Sequence, residues 1–320
     1  MQVSLLATGG TISTKPHESG ATPELEAESL ASSAQLAGKA VSIRARDVAR
    51  ISSRSVTPQT MWALAKAVED EIRCGSDGII ITHGTDTLEE TAYALSLLLQ
   101  TPVPVVLTGA MRVPASPGAD GPANLAAAAA VATTPLFAAY GPVVVHQDEI
   151  HLARWVTKFH STHVAAFESP SAGPIGLVVE GKAVPLAGPL PSPRLTRVCA
   201  PDKRVELLWA AAGSDGVLVN AIRDQIDGLV VAGLGGGHVP PPLAEALVST
   251  VSAGIPVVLA SRCPNPMVLD STYGGVGGEI HLLKSGLVSA GNLSAIKARL
   301  KLIFGLSAGL TGNDLFGSEG

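Results

Sequence analysis

Three cysteines in 320 residues, 3% aromatics and 15% charged residues put several protein classes out of reach. Cys74, Cys199 and Cys263 are odd in number and far apart. They form neither a disulfide framework nor a Cys-x-x-Cys metal or redox pair, and they fit reduced thiols. No run of lysine and arginine interleaved with aromatics occurs, and the formal net charge is −5. Nucleic acid is therefore not an expected partner. No apolar run reaches the roughly 18 residues of a membrane span. The opening MQVSLLATGG lacks the basic segment and apolar stretch of a signal peptide, so the expected location is the cytoplasm, away from membranes.

Hydrophobic residues, in contrast, make up 46%. With so few aromatics, the cores must be built from Val, Leu, Ile and Ala, the residues of buried parallel sheets and their covering helices. The length points to two domains. Short β-branched runs at 3–7, 41–45, 78–82, 103–107, 142–146 and 175–179 read as strands. Segments 58–72, 89–99 and 122–133 read as helices between them. This rhythm predicts a mainly parallel sheet with helices on both faces. The proline-rich stretch around 186–203 reads as a linker. After it, strands at 204–213, 228–235 and 255–263 and helices at 241–254 and 292–308 predict a smaller α/β domain. The expected division is 1–185, a linker at 186–203, and 204–320.

Open α/β sheets bind ligands beyond the carboxyl ends of their strands, so the residues after each strand carry the functional reading. The first strand leads into Thr8-Gly9-Gly10-Thr11. Two glycines permit a sharp turn and a close approach to a ligand, although alone they fit an ordinary strand exit. The third leads into His83-Gly84-Thr85-Asp86-Thr87. Thr87 and Glu90 match a T-x-x-E capping box. Thr85 and Asp86 precede it, at a helix start that attracts anions, and Asp86 suits a substrate ammonium. His83 reads as a packed, hydrogen-bonded residue. Gly109-Ala110 offers bare backbone to an amide, while Asp120 and Asn124 read as turn and helix-start residues. Lys158 is a surface lysine or, partly buried, a base with a lowered pKa. His160 and His163 are three apart, but no further ligand completes a metal site.

LLATGGTIS, ITHGTDTLEETAYAL, VVLTGAMR, GADGPANL and VTKFHSTHVAAFESP occur in this order. Together they closely resemble the bacterial-type L-asparaginases, a family of amidohydrolases that includes glutaminase-asparaginases. The resemblance is strong over 1–180 and looser beyond. It implies a larger flavodoxin-like N-terminal domain and a smaller, Rossmann-like C-terminal α/β domain. It also implies a homotetramer of intimate dimers, with sites between neighbouring subunits and no cofactor or metal. Thr11 would be the nucleophile that becomes a β-aspartyl ester, assisted by Thr85, Lys158 and Asp86. Ser53 would hold the α-carboxylate, Asp86 the α-ammonium and Ala110 the leaving amide nitrogen, with Gly84 and Arg54 also at the substrate.

The chain departs from the family pattern in three places. Residues 13–30 contain no tyrosine to activate the threonine, and the first tyrosine is Tyr93. Lys15, His17, Glu18 or a neighbour's Tyr273 would then assist Thr11, or Thr85 would bear more of the load. Arg54 stands where the family has glutamine, and is expected to grip the α-carboxylate and alter discrimination against glutamine. In the C-terminal domain, Gly236 and His238 replace asparagines, and the glutamate that crosses the dimer has no clear counterpart after SRCP. A glutaminase-asparaginase, a tRNA-dependent amidotransferase subunit (normally with an extra N-terminal domain) and a catalytically weak amino-acid binder are the alternatives.

Overall fold

The computed structural model describes residues 1–15, 22–23, 26–33, 41–190 and 194–317. His17, Glu18 and the Lys15 side chain lie outside the described residues. The chain divides into two compact units, Met1–Arg194 and Leu195–Gly320.

The first unit carries strands β1 (Gln2–Gly9), β2 (Ser42–Ile51), β3 (Gly78–Thr82), β4 (Val105–Thr108), β5 (Val143–His146), β6 (Glu149–Leu152), β7 (Gly176–Val179) and β8 (Lys182–Pro185). They form one sheet in the order β8-β7-β6-β5-β4-β3-β1-β2. The five strands from β2 to β5 pair in parallel, and β6, β7 and β8 continue antiparallel. The parallel part has the flavodoxin order 2-1-3-4-5, whose switch point lies between β1 and β3.

Helices α1 (Ala27–Ser33), α2 (Pro58–Arg73), α3 (Leu88–Leu98) and α4 (Gly121–Ala132) accompany this sheet. Thr57 caps α2 by accepting from the Thr60 amide, and Pro58 presets its first turn. Helix α4 is nearly all alanine, which favours helix formation and lets it lie close to the strands. A Cβ on Gly78 would sit 2.1 Å from the Ala132 carbonyl oxygen, so the approach there tolerates only glycine. Ala128, Ala129, Val131 and Ala132 pack with Val3, Leu5, Ile80, Val106, Val143 and Val145.

The hairpin strands β6 and β8 were not among the expected strands. The turn between β5 and β6 uses Gln147 and Asp148, both at positive φ (50° and 63°). That geometry is a two-residue hairpin without the Asn-Gly or Asp-Gly pair that would reveal it.

The second unit has four parallel strands, β9 (Val205–Trp209), β10 (Gly228–Gly233), β11 (Val257–Ser261) and β12 (Val288–Ser289), in that order. Its core joins Leu229, Val231, Val257 and Leu259 to Leu243, Leu247 and Leu282 from the flanking helices. Short helices at Val217–Ile222, Glu279–Lys284 and Gly312–Phe316, unread in the sequence, join the expected ones at Pro241–Ser252 and Ala295–Ser307.

Candidate active site

Parallel register brings the polar strand ends to one edge. Ala7 pairs with Thr82 and Thr82 with Thr108, so β1, β3 and β4 finish side by side. Thr8 Oγ1 donates to the Thr82 carbonyl (2.9 Å) and Thr108 Oγ1 to that of Val145 (2.8 Å), which ties the ends together.

Glycines bring the next residues into contact. Gly9 (φ 107°) and Gly10 (φ 84°) turn the chain out of β1 into a single 3-10 turn that begins at Thr11. A Cβ on Gly9 would lie 2.4 Å from the Ile51 oxygen, and one on Gly10 would lie 2.3 Å from the Gly84 Cα. A Cβ on Gly84 would lie 2.7 Å from the Ser53 Oγ. Thr11, Ser53 and Thr85 are therefore each within one residue of a common backbone contact. Ala110 is fully buried, and a Cβ on Gly121 would lie 3.0 Å from Ile12 and 3.5 Å from the Ala110 Cβ, which places the β4 exit beside the same turn.

Lys158 comes in from a two-residue antiparallel pair, Thr157–Lys158 with Phe167–Glu168. Its Nζ donates to Thr85 Oγ1 (2.9 Å) and to Asp86 Oδ1 (2.7 Å). Its side chain is only 15% exposed, whereas that of Asp86 is 62% exposed. Lys158 is thus mostly buried and bonded to two side chains, unlike a solvated surface lysine. The Lys158 hydrogen bond holds the Asp86 carboxyl below its usual range, against desolvation, with smaller help from Ser53 and the Arg54 charge. The Asp86 amide also donates to Ser53 Oγ (3.3 Å). Arg54 follows Ser53 and is exposed.

Thr87 corrects the sequence reading. Its hydroxyl makes no cap bond to the helix; it donates to the Ser53 carbonyl at 2.9 Å. A competing acceptor brought in by the fold displaces the capping box. His83 is packed, as expected. Its Nδ1–H donates to the Gly84 carbonyl (2.7 Å), so Nε2 accepts from Thr91 (3.0 Å), and burial pushes its pKa down to about 4. The His160 and His163 rings lie 5.6 Å apart, and no cluster suited to a metal occurs among the described residues.

Three supporting residues escaped the sequence reading or were underrated by it. Glu89 Oε1 accepts from the Lys158 amide (3.1 Å), which anchors that short strand beside the site. Asp120, read as a turn residue, accepts from the Met111 and Arg112 amides (2.9 Å each) and so shapes the chain after Ala110. Asn124 donates to the Gly109 carbonyl (3.0 Å) and accepts from the Gln147 amide (3.0 Å). Only a polar residue at a helix start hinted at each.

In the second unit, His238 Nε2 donates to the fully buried Glu279 (3.0 Å), which also accepts from the Thr272 and Tyr273 amides. The Tyr273 ring stands edge-on to His238 at 4.8 Å and is half exposed.

A parallel sheet of flavodoxin order, with a threonine–lysine–aspartate chain at its switch point, places this chain among the α/β proteins whose polar groups gather where such sheets bind small ligands. Residues 2–189 match the family described as Asparaginase, N-terminal, and residues 204–315 match the Glutaminase/Asparaginase C-terminal domain. The chain belongs to the asparaginase family. It is 39% identical to a probable L-asparaginase of Deinococcus radiodurans, over 98% of this chain and 95% of that protein. It is 31% identical to an L-asparaginase of Bacillus licheniformis, over 94% of this chain and 94% of that one. The crystal structure of a probable cytoplasmic L-asparaginase from Campylobacter jejuni superimposes with a TM-score of 0.84 at 31% identity, covering 98% of this chain and 97% of that one.

Proposed function

We propose that this chain hydrolyses L-asparagine to L-aspartate and ammonia through an ester on Thr11. The observation that carries this reading is the bonded chain Thr85–Lys158–Asp86, packed through Gly84 against the turn that presents Thr11. A hydroxyl is a poor nucleophile until a neighbour takes its proton. In the first step Thr11 Oγ1 attacks the side-chain amide carbon and gives its proton to the Thr85 hydroxyl, which passes its own proton on toward the amide nitrogen while the Lys158 ammonium stays charged and holds Thr85 in place. The C–N bond then breaks, and the nitrogen takes up that proton and leaves as ammonia. In the second step water adds to the ester carbonyl, Thr11 Oγ1 regains a proton, and aspartate departs. Backbone N–H groups near Thr11 and Thr85 hold the oxyanion, each worth about 3–4 kcal/mol in comparable sites.

The half-exposed, ionised Asp86 receives the substrate ammonium, Ser53 and Arg54 its carboxylate, and the Ala110 carbonyl the leaving nitrogen. Gly84 lets Ser53 and the Gly10 turn close up on the strand end where the substrate sits. The active form is a homotetramer acting in the cytoplasm, read by light scattering and fractionation.

Ammonia release from L-asparagine, L-glutamine and D-asparagine, by wild type and Thr11→Ala, tests the reading. L-Asparagine is the best substrate, Thr11→Ala is inactive, and mass spectrometry traps an aspartyl ester on Thr11. A wild type silent on all three amides, or an active Thr11→Ala, refutes it. Comparable activity on glutamine selects the broader glutaminase-asparaginase.

A further inference from the structure

His146 takes no part in the bonds described above. It ends β5, immediately before the Gln147–Asp148 turn, and is 2% exposed. Neither ring nitrogen has a hydrogen-bond partner among the described residues. Its Nε2 lies 3.8 Å from Asp120 Oδ2, beyond hydrogen-bonding distance. Its ring meets that of Phe167 at 5.0 Å between centroids, tilted by 54°. Phe167 is the backbone partner of Lys158. The ring thus backs the strand pair that delivers the lysine, and its Nε2 lies close to Asp120.

We propose that His146 is a positioning residue, a ring-sized spacer that keeps the Lys158 ammonium off Asp120 and directed at Thr85 and Asp86. The inference rests on the reading of Lys158 as part of the catalytic machinery. Asp86 is 62% exposed, whereas Asp120 is 4% exposed. Attraction between opposite charges strengthens as the dielectric falls, so the buried carboxylate is the stronger competitor for an ammonium. A lysine that moved to Asp120 would leave Thr85 and Asp86 without their donor. It would also compete with the Met111 and Arg112 amides for Asp120 and loosen the chain after Ala110.

A spacer between opposite charges works best uncharged, and burial keeps this one so. Desolvation pushes its pKa down to about 4, outweighing the pull of Asp120, and Lys158 pushes the same way. His151, the next buried imidazole, also faces it electrostatically. What matters at this position is volume and neutrality, not proton transfer.

Three variants test this: His146→Phe, which keeps a neutral ring, and His146→Leu and His146→Ala, which remove progressively more of it. His146→Phe keeps kcat and KM within about threefold of wild type. His146→Ala loses about 10²-fold in kcat, the loss expected for a reacting group displaced by about 1 Å, with little change in KM, and added imidazole restores part of it. Carbon NMR shows the Asp86 carboxyl titrating closer to the ordinary carboxylate range in His146→Ala than in wild type, while the buried His83 keeps its low pKa of about 4, which general loosening of the fold would raise. If His146→Ala does not fold, His146→Leu carries the same test with a smaller loss. The inference is overturned if the truncated variants keep wild-type kcat, or if His146→Phe is as impaired as His146→Ala. If Lys158→Met is itself active, the parent reading fails; if it is inactive while His146→Ala is not, only the spacer role falls.

Discussion

Replacing Lys158 by methionine removes one ammonium and leaves a chain of similar length in the same slot. Two bonds go with it: 2.9 Å to Thr85 Oγ1 and 2.7 Å to Asp86 Oδ1. The stability term is small. An ion pair to a carboxylate as exposed as Asp86 contributes about 0–1 kcal/mol after solvent screening. The bond to the buried Thr85 hydroxyl adds about 1–2 kcal/mol, partly offset because no ammonium need be desolvated. The unfolding midpoint should therefore fall by only a few degrees. The catalytic term is large. Loss of the ammonium that holds the Thr85 relay should cost as much as loss of a positioned proton-transfer group, about 10²–10⁴-fold, or about 3–5 kcal/mol of barrier. A second readout follows from Asp86, whose carboxyl is held low chiefly by this lysine. Its stabilisation is present above the ordinary carboxylate range and is lost as pH falls through the folded value. In Lys158→Met the carboxyl should titrate higher and that part should vanish. The assay is ammonia release at saturating L-asparagine, beside thermal unfolding and carbon NMR of the same preparation. A folded variant that keeps more than about a tenth of wild-type kcat would refute the reasoning.

Arg54→Gln should change the ratio of kcat/KM for asparagine over glutamine, because a planar guanidinium beside Ser53 can grip a carboxylate through two bonds; an unchanged ratio sinks that role. His83, His146 and His151 are each held by burial at about 4, below their ordinary 6.5. Between these values the unfolded chain binds protons that the folded one refuses, so stability should fall as pH drops from about 6.5 to 4, with unfolding taking up as many as about three protons. Urea denaturation at stepped pH measures this, and equal stability at pH 7 and pH 5 contradicts it. Asp148 sits at φ 63°. Asp148→Gly should leave the unfolding midpoint unchanged or raise it, whereas Asp148→Val should cost about 1–2 kcal/mol, since a β-branched residue resists that conformation; indistinguishable midpoints would count against a strained turn.

Particular elements show how far the chain could be read before it was folded. Apolar runs of four or five residues between alanine-rich segments located β1, β3, β4 and β5, because a strand buried on both faces admits little else. Strands β6 and β8 were missed because each follows a tight turn whose residues, Gln147–Asp148 and Glu180–Gly181, lack the usual hairpin pair at the right spacing. The Thr87–Glu90 pattern was real as a pattern, yet its threonine bonds to Ser53, 34 residues earlier. A local rule cannot see a distant competitor.

By itself, the order of residues determined that threonines, an aspartate and glycines would follow successive strands. Parallel pairing then obliges them to share one edge. Only the tertiary structure decided which of them touch: that Lys158 reaches Thr85 and Asp86, that Asp120 serves the chain after Ala110, and that His146 lies beside Asp120 and Phe167. Those choices rest on distances of a few ångströms between residues far apart in the chain, and on how deeply each charge is buried. Neither quantity is written in the local pattern from which strands and helices are read.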